Sequence, residues 1–457
     1  MPGTREARAL SSMALTVALI ICIISVVRGF QGQTFMGRPL GGDFAQFYAA
    51  GKILNQFDAS RLYDLDLEVK LQHQAVPATA ADQMLVFASA PFLAQILRPF
   101  AALPYAWAYV AWLLFSMALY SFGVVLLIRS TALSAQQRIT GFLLGISCMP
   151  FLLETWIGGQ ISVIGFFAIT LFVFLRARNR KFWAGMALSL ALLKPTLVAI
   201  PILMLLCGRR WRMLGGAVAG AAALALVSIQ TVGIRGCISW LETLQFYGKL
   251  TTGPASALRR NKYVDAGSFF HLLLGNASTI AQVLGILAAV AGIAVLGAAW
   301  WRSAAWSLAS RDLLWAATFA GALVTNVYTP IYDTVLLAPA VALASGVMLH
   351  WAGRERNTFA GWLVLLYMVP WLTQSFAEFL RFQPFTLVLA GFAWWTLGIA
   401  QRQGNRGVDE LQDSTYHQLL GLTSYLGESR TNNSGQRLSV FLRSYSLPQV
   451  LLWERDR

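Results

Sequence analysis

Ionisable side chains that interrupt long apolar stretches are the first places to look for chemistry. In this 457-residue chain they are few: Glu154, Lys194 and Asp333, with Glu378 and Arg381 near the end of another stretch. A charge at membrane depth costs roughly 2.5–3.5 kcal/mol on insertion scales, so each must be paired or used. A further carboxylate, Asp43, opens the polar segment GGDFAQFYAAGKILNQFDASRLYD, which also holds Tyr48. Asp43 is either the N-cap of an amphipathic helix or a base that takes a proton from a hydroxyl at the lipid–water boundary. Lys194 precedes Pro195 in the middle of an apolar run, where proline frees backbone groups that need a polar partner. Its ammonium either snorkels to headgroups or faces an anion, and the two anions considered are a lipid phosphate and Glu154. Glu154 is equally read as one half of a structural pair. Gly158-Gly159-Gln160, beside Trp156, and the run Asn326–Asp333, with Tyr332, mark turns. There Gln160, Tyr332 and Asp333 are site candidates, against plain readings of a tight turn and a helix cap. Arg259 and Arg260 either close on a phosphate or meet lipid headgroups.

Only a bundle of membrane helices would hold such groups together. Hydrophobic residues make up 57% of the chain and charged residues 12%, where a soluble domain carries about a quarter charged. The net charge of +15 comes from 35 Lys and Arg against 20 Asp and Glu. These cations sit in short loops between apolar runs, which suits orientation in a membrane and argues against nucleic acid as a partner. Four cysteines and four histidines are scattered without metal-ligand or disulfide spacing, so no metal and no cofactor is expected.

Placing the basic loops in the cytoplasm gives a topology. The uncharged run within 10–27 is a retained first span, followed by an outer segment over 30–104. Its apolar part, 86–104, is broken by Pro91, Pro99 and Pro104 and reads as a helix at the outer leaflet. Spans are predicted near 106–128, 138–155, 161–176, 212–232, 279–301, 312–328, 333–350, 359–376 and 384–401. The stretch 182–207 joins two basic loops, and two helices of about 12 residues reach only about 18 Å each. It is therefore a short helical pair whose apex lifts Lys194 toward the outer half of the membrane. The expectation is an all-α polytopic membrane protein of about twelve helices, two of them short. Its membrane domain covers 1–401, with outer loops at 30–104 and 233–270 and a disordered cytoplasmic tail at 402–457.

Taken in order, GGDFAQFYAAGKIL…LYD, APFLAQILRPFAALPYAWAYVAW, GGQISVIGFF and AGMALSLALLKPTLVAIPILMLLCGRRWR resemble glycosyltransferase family 87 over about residues 40–215, with an echo at TPIYDTVLLAPAVAL. This is the polyprenol-phosphate-mannose-dependent mannosyltransferase group of the GT-C superfamily. The resemblance implies a GT-C-like bundle, a polyprenyl-phosphate-linked sugar donor and a lipid or glycan acceptor. It also implies inversion at the anomeric carbon without an obligatory metal, and a bacterial inner-membrane location with the site outside the cytoplasm. The family's acidic residue in the first outer loop falls on Asp43, and its Lys-Pro falls on Lys194-Pro195. Mannosyl members often carry a Trp and a His where this chain has Tyr332-Asp333, which leaves mannose or another hexose or pentose as the sugar. Lys194, Arg259 and Arg260 are then the candidates for the donor phosphate. The rival reading is a transporter or flippase, which also breaks helices around intramembrane charges. Two features speak against it: the halves show no repeat, and a large outer loop follows the first span.

Overall fold

The computed structural model describes residues 4–34, 39–77, 85–131, 133–252 and 259–405. The predicted tail beyond residue 405 lies outside the described residues. Among these residues the elements are helical, and β-pairing is confined to one isolated bridge between Tyr263 and Pro330. Lipid imposes this, because a helix satisfies its own backbone without water.

All twelve membrane helices expected from the sequence are present. They are α1 (Thr4–Phe30), α5 (Tyr105–Arg129), α6 (Ala135–Ile146), α7 (Ser162–Ala177), α8 (Lys181–Ser189), α9 (Thr196–Cys207), α10 (Trp211–Thr252), α12 (Thr279–Arg302), α13 (Leu308–Thr325), α14 (Leu337–Met348), α15 (Arg354–Leu380) and α16 (Pro384–Asn405). Between them, at the end of the bundle away from the basic loops, lie α2 (Phe44–Gln56), α3 (Leu65–Ala75), α4 (Pro91–Ala101) and α11 (Ala266–Leu274). Among the described residues seven helices are long and apolar enough to cross a membrane. An eighth span arises if α6 is joined to the π-helical turn Pro150–Ile157, bent from it by 46°. The chain is a polytopic membrane protein. Its basic loops meet at one end, where Arg176 pairs with Asp312 and Arg210 donates to the Ser303 carbonyl at 3.3 Å.

One feature differs from the sequence reading. The segment after residue 232 is not a loop, because α10 runs on to Thr252 through a kink at Gly233 (φ 72°, ψ 176°). Only glycine adopts that conformation without strain, and it turns the rest of the helix aside. Arg235, Glu242 and Lys249 lie on this second half and obscure its helical pattern, while Ile234, Ile238 and Leu241 form an exposed apolar row. Such a helix suits a membrane surface. As expected, the segment between α1 and α5 carries surface helices, and α2 packs on α4 so closely that a Cβ at Gly51 would stand 2.9 Å from the Leu97 carbonyl oxygen.

The short pair α8–α9 is held by small residues on α10. A Cβ on Gly216 would lie 1.9 Å from the Phe182 carbonyl oxygen, and one on Gly185 would lie 1.8 Å from that of Met213. Helix association in lipid depends on such close backbone approach. Gly215, one residue away, faces open space. Gly216→Ala should therefore cost about 1–3 kcal/mol through overpacking, read as a lower melting temperature in detergent. Gly215→Ala should be neutral or slightly stabilising, and equal effects at the two positions would refute this packing account.

Candidate active site

The turn out of α1 passes through Gly41 (φ 77°) and Gly42 (φ 50°), both in the left-handed region that favours glycine. It backs onto a second glycine turn: the Asp43 N–H donates to the Gly158 carbonyl at 3.2 Å, and a Cβ on Gly159 would lie 2.5 Å from the Gly41 carbonyl oxygen. Two tyrosines of α5 lock the pair. Tyr105 donates to the Leu40 carbonyl and Tyr109 to the Ile157 carbonyl, each at 2.6 Å. Asp43 thus stands at the N-cap position of α2, yet its side chain makes no capping hydrogen bond. Its carboxylate accepts instead from the side-chain amide of Gln160, which is buried.

Two residues further on, at the start of α7, Ser162 donates to Asp333 Oδ1 at 2.6 Å. The other oxygen of Asp333 holds the Lys194 ammonium. Asp333 is 1% exposed, so its charge depends on these partners. Two polar groups therefore flank one short stretch of backbone: Asp43 with Gln160, and, two residues on, Ser162 with Asp333 and Lys194. Asp333 lies in the 3-10 segment Ile331–Leu336, and its carboxylate goes to Lys194 and Ser162, not to the start of a helix.

Lys194 is extended backbone (φ −138°, ψ 92°) between the 3-10 turn Leu190–Leu193 and α9, at the apex of the short pair. The break at Lys194-Pro195 leaves the Leu193 carbonyl to an outside donor, Ala90 N–H at 3.4 Å, and the Asn326 amide adds a bond to Thr196 O, on the first residue of α9, at 3.0 Å. The ammonium stands 4.9 Å from the Tyr332 ring centroid and 5.6 Å from that of Tyr328, a cation–π setting.

Residues 85–90 form a strap over this apex. The Gln72 side chain grips both the N–H (3.2 Å) and the C=O (2.7 Å) of Leu85. Glu68 Oε2 accepts from Phe87 N–H at 3.0 Å, Trp240 donates to Ala88 O at 3.2 Å, and Tyr63 donates to Ser89 O at 2.7 Å. Burial, chiefly, pushes the Glu68 carboxyl up to about 8; the Phe87 bond opposes this and the Asp64 charge adds to it. On the far side of the site Asp265, fully buried, accepts from Ser268 N–H at 2.7 Å and from Thr329 N–H at 2.9 Å. Desolvation raises its carboxyl to about 6 against the pull of those bonds. Asp265 thereby staples the turn carrying Tyr328 and Tyr332 to the start of α11.

The remaining candidates separate. Glu154 is not the partner of Lys194: its carboxylate accepts from Gln374 of α15 at 2.7 Å. Asp333 takes that place because the turn after α13 brings it to the apex. Tyr48 serves packing, donating to the Leu103 carbonyl at 3.0 Å with its ring edge-on to Tyr105. Arg259 is exposed, whereas Arg260 is 8% exposed and reaches Ser268 Oγ at 3.4 Å. Sequence reasoning missed Tyr247, Tyr263 and Asp265. Of these, Tyr247 and Tyr263 lie with Tyr332 within electrostatic reach of Asp43, and Tyr247 is also within reach of Lys194. Asp265 in DAGS was the one with a signal, an N-cap residue three before a serine. Among the described residues no group of three or more His, Cys, Asp or Glu is placed to hold a metal ion.

The helical membrane bundle thus brings Asp43, Asp333 and Lys194 to one end. The model of glycosyltransferase family 87 matches residues 87–330, more than half of the chain. The chain belongs to glycosyltransferase family 87 and is a membrane glycosyltransferase, with a sugar donor and an acceptor as its substrates. No curated protein and no solved structure matched it.

The ion pair sets a stability test. Lys194→Met leaves Asp333 buried without its counter-charge, which should cost about 3–5 kcal/mol, and adding Asp333→Asn should recover much of the loss. Glu154→Gln should give no such rescue, and rescue by it alone would reinstate the Glu154 pairing. Glu68 gives a pH test. Its folded-state affinity for a proton exceeds the unfolded value near 4.5, so its contribution is present at low pH and is lost as pH rises through about 8. Glu68→Gln keeps an acceptor for Phe87 N–H and cannot ionise. Its thermal stability relative to wild type should therefore rise between pH 5 and pH 8.5, and parallel curves would show that Glu68 does not titrate in this way.

Proposed function

We propose that the chain moves a sugar from a polyprenyl-phosphate donor to a hydroxyl of a lipid or glycan acceptor, outside the cytoplasm of a bacterial inner membrane. The observation that carries this reading is Asp43: a carboxylate at a helix N-cap position that leaves the cap unmade and is held by Gln160, two residues before the serine that shares Asp333 with Lys194. In the reaction the acceptor oxygen attacks the anomeric carbon as its proton passes to Asp43. The bond from that carbon to the phosphate oxygen breaks, and polyprenyl phosphate leaves. One displacement gives inversion. A fixed cation facing the phosphate stabilises the transition state more than the ground state, because charge grows on the leaving oxygen. Lys194 supplies that cation. Asp333 balances it before the donor arrives, and the ammonium has three N–H groups, so Asp333 and a phosphate oxygen fit together. Arg260, buried on the turn before α11, is the second cation, and outward-facing Arg259 is left to headgroups. The family resemblance supports mannose or another hexose or pentose as the sugar, and the basic loops support an outward-facing site.

Asp43→Asn keeps side-chain size and removes basicity. In right-side-out vesicles, transfer from polyprenyl-phosphate mannose to an impermeant acceptor should fall about 10²–10⁴-fold at unchanged protein level. Near-normal transfer by the variant would remove Asp43 as base. Transfer only in inverted vesicles would reverse the sidedness.

A further inference from the structure

Four tyrosines from four separate elements gather near Lys194. Tyr247 comes from the second half of α10, Tyr263 from the turn before α11, Tyr328 from the turn after α13, and Tyr332 from the 3-10 segment before α14. Tyr328 is the hub. Its ring centroid lies 6.2 Å from that of Tyr247 and 5.9 Å from that of Tyr263, and its side chain hydrogen-bonds Tyr247. Lys194 links Tyr328 to Tyr332 by standing over both rings. The cluster thus surrounds the proposed phosphate-binding cation, next to which the reacting carbon must sit.

The cluster is less buried than the tyrosines of α5. Tyr109 and Tyr120 are at 0% exposure, packed among apolar rings. Tyr247, Tyr263, Tyr328 and Tyr332 are all half-buried, and so are Asp43 and Lys194. Partly exposed tyrosines on several elements at once match the chemistry of a pyranose. Its C–H face is apolar enough to lie on an aromatic ring, and its rim of hydroxyls takes hydrogen bonds from phenols. The charges at the edge of the cluster narrow the class further. Asp43 and Asp333 are carboxylates and would repel a sugar carboxylate, and Lys194 is already matched to Asp333 and the donor phosphate.

We propose that Tyr247, Tyr263, Tyr328 and Tyr332 form the wall that receives the transferred sugar, and that this sugar is an uncharged pyranose. The proposal rests on the glycosyl-transfer reading above and adds which residues hold the sugar and which sugars they accept.

Binding to the full chain in nanodiscs separates the two. The probes are a short isoprenyl methyl phosphate, the mannosyl and glucosyl isoprenyl phosphates of equal charge, and a glucuronyl one. Wild type should bind at least one hexosyl probe about tenfold more tightly than the methyl probe, and the glucuronyl probe less tightly than that hexosyl probe. An aromatic contact is worth about 0.5–1.5 kcal/mol, or roughly 2–13-fold in affinity. Tyr328→Leu should erase most of the sugar's advantage while leaving affinity for the methyl probe within about twofold, and Tyr328→Phe should keep most of it. Tyr247→Leu, at the edge of the cluster, gives the same comparison if Tyr328→Leu does not fold. Should the methyl probe bind and the hexosyl advantage be absent, or survive both Leu substitutions, the tyrosine wall is wrong and the donor reading stands. Tighter binding of the glucuronyl probe would overturn the sugar class. If no isoprenyl phosphate binds, the donor reading itself falls, and the wall with it.

Discussion

The pairing of Lys194 with Asp333 is the constraint around which this end of the molecule is arranged. An ammonium inside an apolar bundle is tolerable only with an anion at hand, and the anion is itself almost wholly buried. Meeting that requirement brings together parts of the chain 139 residues apart. The short pair α8–α9 must rise far enough to present Lys194, and the turn after α13 must descend to present Asp333. Ser162 at the start of α7 must complete the shell of the carboxylate. Once these three meet, the glycine turn at Gly158-Gly159-Gln160 is fixed two residues away, and with it the amide that holds Asp43.

A broken helix has a second need, which the outer segments meet. Pro195 stops α8 and α9 from forming one continuous helix, so carbonyls at the break have no partner of their own. The strap at 85–90 supplies the donor to Leu193 O, while Asn326 adds a bond to Thr196 O at the start of α9. The strap is in turn held by Gln72, Glu68, Tyr63 and Trp240, residues of α3, the turn before it and the second half of α10. The surface helices therefore do more than cover the bundle, because they complete the backbone bonding of the segment that carries the cation. This explains why so much chain is spent outside the spans at this end and so little at the other.

The sequence made the membrane architecture legible almost in full. Apolar length, proline position and the distribution of arginines are one-dimensional signals that lipid enforces strictly, so the twelve helices and the short pair at Lys194-Pro195 fall where expected. The ionisable residues that mattered were also visible, since Asp43, Lys194 and Asp333 are conspicuous in such surroundings. Partner choice was not legible. Glu154 and Asp333 are both lone carboxylates near turns, and only the packing of α15 against the π-helical turn gives Glu154 to Gln374 and leaves Asp333 for Lys194. Tyr247 and Tyr263 carried no signal, because tyrosine in an amphipathic surface segment is ordinary at a membrane interface. The helix over 234–252 was hidden by its own charges, which suit an interfacial helix and read as loop.

The order of these constraints bears on how one bundle serves a reaction with two very different substrates. On the proposed reading, a phosphate on a long lipid approaches from the bilayer and a hydroxyl acceptor approaches from water. Asp43 stands on the turn before α2, so a group that it deprotonated would not enter the bundle. Lys194 stands at the apex of the short pair α8–α9, whose ends lie at the basic loops, so a headgroup that it held would not leave the membrane. The interval between them is bridged by backbone that cannot easily move: two glycine turns locked by Tyr105 and Tyr109, and a turn stapled by Asp265. Rigidity there is what direct transfer between two phases demands, since the acceptor oxygen and the phosphate oxygen must lie on opposite sides of one carbon before either bond changes.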